Sequence, residues 1–362
     1  MEWKRLKQQS IDFAGYLALR IVICVISSIT LETCDRICRV LAWILSDWTK
    51  LRRDVTDENL QRVYGDLTLA HRTLLRRQMW HHLLLMVCEV AHAPRKIHRT
   101  NYFDYFYMPQ KSVVLHYMMR HGPTVLVTGH FGNFEVAGHT IGVLGTPTTT
   151  IARPLDNPFV DDYLSEFREM GGQKILPKEG SSVAVQDLLA AGGTLALLAD
   201  QHAGGKGVWV DFFGHPTSCH KALALFVLSS KAPMVVNYNR RLGRPLRYEM
   251  NLTGVADPEL MDSENPPEYL QSVTALTEWY NEKLEEAIRL APEQYWWLHR
   301  RWREVPPNIE RRLAKRRQKH LATDLSNQLI DEPENRNVES EIGDGRSDST
   351  AHSSSDGETA AA

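Results

Sequence analysis

The sequence predicts an α/β fold with a mostly parallel sheet flanked by helices, preceded by a helical N-terminal region. From Ser112 onward, short runs of Val, Leu and Ile alternate with helical stretches. Strands that are apolar throughout are typical of parallel sheets covered on both faces. Before Ser112 the apolar residues recur at helical spacing instead, which favours helices without strands.

The first predicted element is a membrane-anchor helix within a helical region at residues 1–50. Ile21–Leu31 is an uncharged apolar run, but Arg20 separates it from the apolar residues of Phe13–Leu19. A helix that crosses a bilayer needs about 20 predominantly apolar residues. We therefore expect this helix either to span the membrane or to lie in its interface. The alternative is an amphipathic helix packed on the protein's own core.

Helices continue to Pro94, and the alternating pattern then places strands and helices in order. The predicted strands are Thr124–Thr128, Thr148–Ile151, Thr194–Ala199 and Met234–Tyr238. The predicted helices around them are Glu135–Val143, Asn157–Met170, Val183–Ala191, Lys221–Ser230 and Pro266–Leu290. These elements form one expected domain at residues 51–310.

Two further segments follow that domain. Residues 311–322 form a basic extension, which is either a solvated charged helix or a surface attracted to anionic lipid head groups. Residues 323–362 are rich in Ser, Asp, Glu and Gly and contain no aromatic residue. Such a segment cannot bury enough apolar area to offset its chain entropy, so an acidic disordered tail is expected.

Composition and motif searches exclude several classes of protein. The net charge of −2 carries no nucleic-acid signature, so no nucleic-acid partner is expected. None of the five cysteines forms a CxxC pair, which fits a reducing compartment. The sequence has no Walker A loop, Gly-x-Ser-x-Gly elbow or Gly-x-Gly-x-x-Gly fingerprint. We expect neither a cofactor nor a metal.

Polar side chains follow two of the predicted strands at the point where each strand ends. His130 comes two residues after Thr124–Thr128, and Asp200 directly follows Thr194–Ala199. Ligands of open parallel sheets bind beyond the carboxyl ends of the strands. Both residues are therefore candidates for one functional site at that edge.

His130 and Glu135 are the second pair of candidates. On a continuous helix, five residues place two side chains about 140° apart, so they could not meet. They could meet if a turn containing Gly129 and Gly132 joins a strand to a helix. The carboxylate would then hold one imidazole nitrogen and leave the other free to accept a proton from a hydroxyl. The alternative is a polar turn in which His130 makes only structural hydrogen bonds.

The stretch around this pair, Val125–His139, resembles the His-x4-Asp/Glu motif of lysophospholipid acyltransferases. Within that superfamily it is most similar to the bacterial lipid A (Kdo-dependent) lauroyl/myristoyl acyltransferases. Further blocks in matching order extend the resemblance from about residue 10 to residue 310. These blocks are Arg153–Pro158, Pro177–Gly180, Ala199–Gly204, Val210–Gly214 and Pro292–Trp302.

The resemblance implies an acyltransferase domain at residues 51–310 and an O-acyltransferase activity. The fatty acyl chain would move from acyl carrier protein or acyl-coenzyme A to a hydroxyl of a lipid A precursor. His130 would be the general base, and Glu135 would orient its imidazole. The protein would be attached to the inner (cytoplasmic) membrane by its N-terminal helix, with the catalytic domain facing the cytoplasm.

The acceptors of this family carry phosphates and sugar acids, so the resemblance also implies cationic substrate-binding residues. Asp200 would orient one of these cations. Phenylalanines near the motifs would line a slot for the acyl chain or form plain core. The candidate cations are Arg153, Arg168, Lys178 and Lys221, and the phenylalanines are Phe131, Phe134, Phe212 and Phe213.

Three other functions compete with this hypothesis. The same chemistry could act on another glycolipid or on a lysophospholipid. A catalytically silent lipid-binding protein could keep the fold without the reaction. A metal site could form from His130, Glu135 and His139, although catalytic zinc needs three ligands in tight geometry.

Overall fold

The computed structural model describes residues 2–330 of the chain. The helices are α1 (Glu2–Ser28), α2 (Leu31–Asp47), α3 (Arg53–Val63), α4 (Leu69–Lys96), α5 (Lys111–Met119), α6 (Phe134–Val143), α7 (Pro158–Met170), α8 (Ser181–Ala190), α9 (Lys221–Ser230), α10 (Val273–Leu290) and α11 (Pro307–Ile330). The strands are β1 (Phe106–Tyr107), β2 (Thr124–Thr128), β3 (Thr148–Ala152), β4 (Gln173–Pro177), β5 (Thr194–Leu198), β6 (Val208–Phe212), β7 (His215–Cys219), β8 (Met234–Arg241) and β9 (Tyr248–Ala256).

The N-terminal region is helical, as predicted. The side chains of Thr30 and Thr68 cap α2 and α4 by accepting from Thr33 N and His71 N. A threonine oxygen there satisfies one of the backbone donors that a helix start leaves unpaired. Both α1 and α2 pack against α4. The apolar window of α1 is long enough to cross a membrane and is exposed in the structure, although core helices and signal sequences can have the same composition.

The predicted α/β fold is confirmed by a seven-stranded, mostly parallel sheet of order β1-β9-β8-β2-β5-β3-β4. Strand β2 lies between β8 and β5 and runs parallel to both. Its register with β5 pairs Thr128 with Leu198. Strand β9 runs antiparallel to β8, so one end of the sheet departs from the parallel pattern.

Both faces of β2 are buried, which explains why its three middle residues are all apolar. Val125 and Val127 of β2 face a large core that includes Leu276 and Tyr280 of α10. Leu126 faces the opposite side and packs in the cluster that contains α6. Side chains alternate between the faces of a strand, so a strand covered on both sides favours apolar residues at consecutive positions.

Three features were not predicted from the sequence. Strand β4 follows a Gly-Gly turn after α7, and β9 returns antiparallel to β8. Strands β6 and β7 form a separate two-stranded antiparallel hairpin. The hairpin of β6 and β7 could not be predicted from the sequence. Asp211 interrupts the apolar residues of β6, and His215–Cys219 shows no regular alternation of apolar and polar residues.

Residues Met1–Leu313 form one compact unit. A second unit begins at Ala314, and its described part is the rest of α11. The predicted basic extension, residues 311–322, lies within α11, and the helix runs on to Ile330 into the segment expected to be the acidic tail. The remainder of that expected tail, residues 331–362, lies outside the described residues.

Candidate active site

The turn between β2 and α6 places the first candidate residues. Asn133 caps α6, with its Oδ1 accepting from Val136 N at 3.1 Å. Gly132 has a φ of +61°, and a Cβ at this position would lie 1.8 Å from the backbone oxygen of Asn239. Only glycine fits here, because the conformation and the close backbone approach both exclude a side chain. The glycine thus lets β2 turn sharply into α6 and leaves His130 at the sheet edge.

His130 is held by Asp200. The ring Nδ1 lies 2.7 Å from Asp200 Oδ1, and the backbone N–H of His130 donates to Asp200 Oδ2 at 2.8 Å. The Asp200 side chain is almost fully buried, with 3% of its area exposed. Because a carboxylate accepts, it holds the proton on Nδ1 and leaves Nε2 as the free nitrogen of the neutral ring.

The strand register explains this pairing. Thr128 is opposite Leu198 in the parallel pair β2–β5, and His130 and Asp200 each follow their partner by two residues. The two side chains therefore leave neighbouring strands at the same level. The prediction that both lie at one edge of the sheet is confirmed. The prediction that Glu135 holds the imidazole is wrong, because Asp200 occupies that position.

Glu135 pairs with Arg168 instead. It lies in the first turn of α6, and Arg168 lies in the last turn of α7. The guanidinium binds both carboxylate oxygens, with Nε–Oε2 at 3.1 Å and Nη2–Oε1 at 2.5 Å. The prediction that Asp200 orients one of the candidate cations is also wrong, because Asp200 binds His130 and Glu135 is the partner of Arg168. This two-point geometry fixes the plane of the guanidinium more firmly than a single contact would.

Opposing effects set the basicity of His130. Burial by itself lowers the pKa of the imidazole, but the charge and hydrogen bond of Asp200 outweigh it, and the charge of Glu135 adds to them. The pKa of His130 is therefore raised above its ordinary value. Burial raises the pKa of Asp200, but its contacts with His130 outweigh that effect and bring the pKa of the carboxyl to about 2. Asp200 stays ionised at any physiological pH and supports the protonated imidazole.

An open cavity of about 360 Å³ lies on one side of His130. The amide of Gln201 donates to the free Nε2 at 3.3 Å, and the ring of Trp296 lies 5.1 Å from the imidazole. His299 also lines this cavity, but its Nε2 already accepts from His202 N. The full lining is Leu51, Arg52, Trp80, His130, Asp200, Gln201, Trp296, Leu298, His299, Arg300 and Arg303. We call this space the arginine cleft.

A second, smaller cavity of about 130 Å³ lies between α6 and the sheet. Its walls are mainly apolar, and Glu135 and Arg168 are the charged residues that line it. Phe134 connects the two spaces, because its ring lies 5.3 Å from the ring of His130 and also lines this cavity. We call this space the apolar cavity.

The other predicted cations lie apart from both cavities. The side chain of Arg153 is 81% exposed and pairs with Asp156 at 3.6 Å. Lys178 is exposed after β4, and its charge acts on His220 instead of His130. Lys221 is exposed at the start of α9.

The predicted phenylalanines also separate into two groups. Phe134 lines the apolar cavity, as an acyl-slot residue would. Phe131, Phe212 and Phe213 are buried in the main core instead.

A buried polar network supports the turn from below. Glu89 of α4 is fully buried and binds Arg241 of β8 through both carboxylate oxygens, at 2.7 and 2.5 Å. The same carboxylate accepts from Asn133 Nδ2 at 3.0 Å. His82, also on α4, lies 3.2 Å from the backbone oxygen of Gly132 through its Nε2. Helix α4 thus holds the turn at two adjacent residues.

Sequence reasoning missed the arginines of the cleft. Arg300 and Arg303 fall in or beside the resembling block Pro292–Trp302, but neither was predicted as a site residue. Arg52 had no motif at all. Arg52 and Arg300 are far apart in the sequence but line the same cavity. No local sequence pattern could therefore predict that they lie together.

His139, the third residue of the metal hypothesis, stacks on Phe167 with ring centroids 5.8 Å apart. Its neighbour Glu135 is engaged by Arg168. Among residues 2–330, no group of three or more His, Cys, Asp or Glu side chains has a metal-binding arrangement. The described residues therefore give the metal hypothesis no support.

A histidine–carboxylate pair thus lies beyond the strand ends of a mostly parallel sheet, beside one apolar and one cationic cavity, which is where ligands of open α/β sheets bind. Comparison with known proteins is more specific. Residues 3–304 match the family described as bacterial lipid A biosynthesis acyltransferase, and the chain belongs to that family.

Curated relatives carry matching names. A lipid A biosynthesis acyltransferase of Haemophilus influenzae is 29% identical over 178 residues, which is 48% of this chain and 52% of the relative. A lipid A biosynthesis lauroyltransferase of Escherichia coli is 26% identical over 191 residues, which is 52% of this chain and 58% of the relative. The chain thus spans between half and three fifths of the length of these relatives.

One solved structure also aligns with the chain. The 1-acyl-sn-glycerophosphate (LPA) acyltransferase of Thermotoga maritima is 10% identical, covers 76% of this chain and 100% of its own, and has a TM-score of 0.35. A similarity at this level carries no argument, so the fold assignment rests on the strands described above.

Proposed function

We propose that this protein transfers a fatty acyl group from a thioester, carried by acyl carrier protein or coenzyme A, to a hydroxyl of a lipid A precursor. The observation that carries the proposal is the His130–Asp200 pair. The carboxylate fixes Nδ1, so Nε2 faces the arginine cleft as a base. Membership of the acyltransferase family supports the reaction class.

In the proposed reaction His130 accepts the proton of the acceptor hydroxyl at Nε2. The hydroxyl oxygen then attacks the thioester carbonyl and forms the new C–O bond. When the C–S bond breaks, the imidazolium returns the proton to the departing thiolate. Asp200 stays ionised and stabilises the imidazolium throughout, which is the role that its low pKa permits. Proton transfer by a positioned base contributes roughly 10² to 10⁴-fold to the rate.

Arg168 is proposed to oppose the negative charge that develops on the carbonyl oxygen. The backbone N–H groups of His130, Gly132 and Asn133 donate elsewhere, so the turn has few donors left for an oxyanion. The guanidinium uses Nε and Nη2 on Glu135, and its Nη1 has no hydrogen-bond partner among the described residues. A preorganised cation beside a reacting carbonyl lowers the barrier because it needs no reorganisation.

The apolar cavity is proposed to receive the first part of the acyl chain. Its walls combine sheet residues such as Leu126 and Ala196 with Ile141 of α6. Arg168 lines the same cavity and would meet the thioester end of the chain. The acceptor would then approach from the other side of the imidazole, through the arginine cleft.

The test of this proposal is acyl transfer by the full chain carrying His130→Ala. We expect turnover to fall by about 10² to 10⁴-fold while the protein folds normally, because the base is removed and Asp200 lies too deep to replace it. The assay measures transfer from acyl carrier protein to purified acceptor lipid, with circular dichroism as the folding control. Near-normal turnover in a folded His130→Ala protein would refute the mechanism.

Attachment to the inner membrane, with the site facing the cytoplasm, is the second part of the proposal. The supporting observation is α1, whose apolar side chains, among them Ile21, Val22 and Val25, are exposed. We expect the full-length protein in the membrane pellet at both low and high salt, because an embedded apolar helix is insensitive to screening. Deletion of residues 2–29 should release a part of it, and a full-length protein that stays soluble without detergent would contradict the proposal.

A further inference from the structure

We infer that the arginine cleft is an anion-binding site for phosphate or carboxylate groups on the head group of the acceptor lipid, held by Arg52, Arg300 and Arg303. This inference rests on the proposed function, because it assigns a role to the space that opens onto His130 Nε2. The proposed anion site lies beside the His130–Asp200 pair and is formed by other residues.

The charges that line the cleft are strongly unbalanced. Arg52, Arg300 and Arg303 all line it, and all three are exposed at the surface. None of them has an ion pair within the described part of the chain. The carboxylate among the lining residues is Asp200, whose charge is directed to His130. The cleft therefore presents uncompensated positive charge beside the reacting nitrogen.

An adjoining cavity of about 660 Å³ extends the same surface outward. Arg300 and Arg303 line both spaces, so the two are continuous. The outer cavity adds Arg62, which pairs with Glu58 at 3.2 Å, and also Glu304. Glu58 and Glu304 thus reduce the positive charge in the outer cavity, whereas Asp200 alone opposes three arginines in the inner one. An anion would be bound most strongly close to His130.

The segment that carries Arg300 and Arg303 is anchored in the core. Arg301 lies between the two arginines in sequence but is fully buried, and it donates to Ser218 O and to Asn281 Oδ1. Arg301 and the buried Trp302 therefore fix the backbone of the segment in the core, and Arg300 and Arg303 on either side of them are exposed. Such an arrangement presents guanidinium groups from a rigid base, which suits the planar oxygens of phosphate and carboxylate.

The charge of Arg303 also acts on two histidines near the cleft. Burial lowers the pKa of His299 to about 4, with further lowering by the charges of Arg301, His130 and Arg303, which outweighs the opposing charge of Asp200. Burial also lowers the pKa of His202, and Arg303 and Arg301 add to that effect. Both imidazoles stay neutral at physiological pH, so the arginines are the groups available to an anion.

The acceptor fits this site better than the donor does. The acyl chain of the donor has an apolar cavity next to Arg168, on the far side of Phe134. The acceptor hydroxyl must reach Nε2 of His130, and that nitrogen lies on the side of the cleft. Anionic groups attached to the same head group would then lie within reach of the three arginines.

The experiment compares the wild-type full chain with Arg300→Glu, Arg303→Glu and the double variant. Arg244→Glu is the matched control, because Arg244 is exposed on the β8–β9 loop and lines neither cavity. Initial rates are measured with a phosphorylated acceptor lipid and with the same lipid after phosphatase treatment. Binding of inorganic pyrophosphate is measured separately by calorimetry, which requires no acyl transfer.

We expect each single variant to raise the KM for the phosphorylated acceptor about tenfold, because a charge-assisted hydrogen bond contributes at least that much. The double variant should no longer discriminate between the two lipids and should not bind pyrophosphate, whereas the Arg244→Glu control should behave like wild type. The KM for the donor should not change.

Three results would overturn the inference. The first is an unchanged KM for the phosphorylated acceptor in the double variant. The second is an equal loss with both lipids. The third is a raised KM for the acyl carrier protein donor alone, which would assign the cleft to the acidic carrier. A wild-type chain that binds pyrophosphate through Arg300 and Arg303 but transfers no acyl group would keep the anion site and refute the proposed function.

Discussion

Asp200 orients His130 with both of its oxygens, one on the ring and one on the backbone N–H. The carboxylate therefore fixes the imidazole and the start of the turn together. An amide at this position could accept with only one of its two terminal atoms, so the pair depends on a full carboxylate. The buried, ionised state of Asp200 is maintained by the hydrogen bonds and charge of His130, and each residue stabilises the charged form of the other.

Glu135 and Arg168 should act as one unit. We expect Glu135→Gln and Arg168→Ala each to lower turnover, but by less than His130→Ala, because the base itself remains. The double variant should lose little more than the worse single variant, since residues that act through a shared contact are not additive. The acyl-transfer rates of wild type, the two single variants and the double variant form a double-mutant cycle that measures this coupling.

Arg153→Ala is the control for this cycle. Its guanidinium is exposed and paired only with Asp156, so near-normal turnover is expected. Strictly additive losses from Glu135→Gln and Arg168→Ala would contradict a shared role.

Only part of the site could be predicted from the sequence. The position of His130 and Asp200 after their strands was sufficient to bring both to one edge. The partner of the imidazole was not predictable from the five-residue spacing to Glu135, because it depends on the register of β2 and β5. Once β2 and β5 are known to be neighbours, the pairing of His130 with Asp200 can be predicted, because each residue follows the end of its strand by two positions.

Among the elements, helix α4 supports the turn that carries His130. Glu89 and His82 on this helix contact Asn133 and Gly132, and Glu89 is also the partner of the buried Arg241. A buried ion pair contributes little net stability when it is intact, but removing one partner leaves an uncompensated charge. Helix α4 of the N-terminal region thus supports the turn that carries His130.

Glu89→Gln is expected to destabilise the protein by roughly 3 to 5 kcal/mol, because it leaves Arg241 buried without its counter-charge. The melting temperature of the full chain in detergent measures this effect. Glu259→Gln is the matched control, since Glu259 is an exposed partner of Arg120 and its pair should contribute under about 1 kcal/mol. Equal melting temperatures for the two variants would show that the buried network does not support the fold.

Helix α1 is linked to the same site through α7. Phe13 packs edge-on against Phe159 with centroids 5.5 Å apart, and Arg20 lies 4.9 Å from the ring centroid of Tyr163. Arg20, which interrupts the apolar run in the sequence, thus lies over an aromatic ring of α7. The helix that carries Arg168 therefore contacts the proposed anchor directly.

For the whole molecule, the fold was the most predictable feature. The predicted strands coincide with β2, β3, β5 and β8, although β3 begins with three threonines and is only partly buried. Strand β4 and the β6–β7 hairpin escaped prediction, since their partly exposed or polar residues carry no clear apolar pattern. The apolar cavity and the arginine cleft could not be predicted, because each is lined by residues from distant parts of the chain.

The pH dependence of kcat/KM for wild type and Asp200→Asn tests the central claim most directly. His130 must be neutral to act as a base, so wild-type activity should fall as the pH drops through its raised pKa. Without the charge of Asp200, the lowering effect of burial dominates, so the acidic limb should move to lower pH. The plateau should also fall by roughly 10² to 10⁴-fold, because the imidazole is less basic and no longer held. An acidic limb at the wild-type pH with a near-normal plateau would contradict the account.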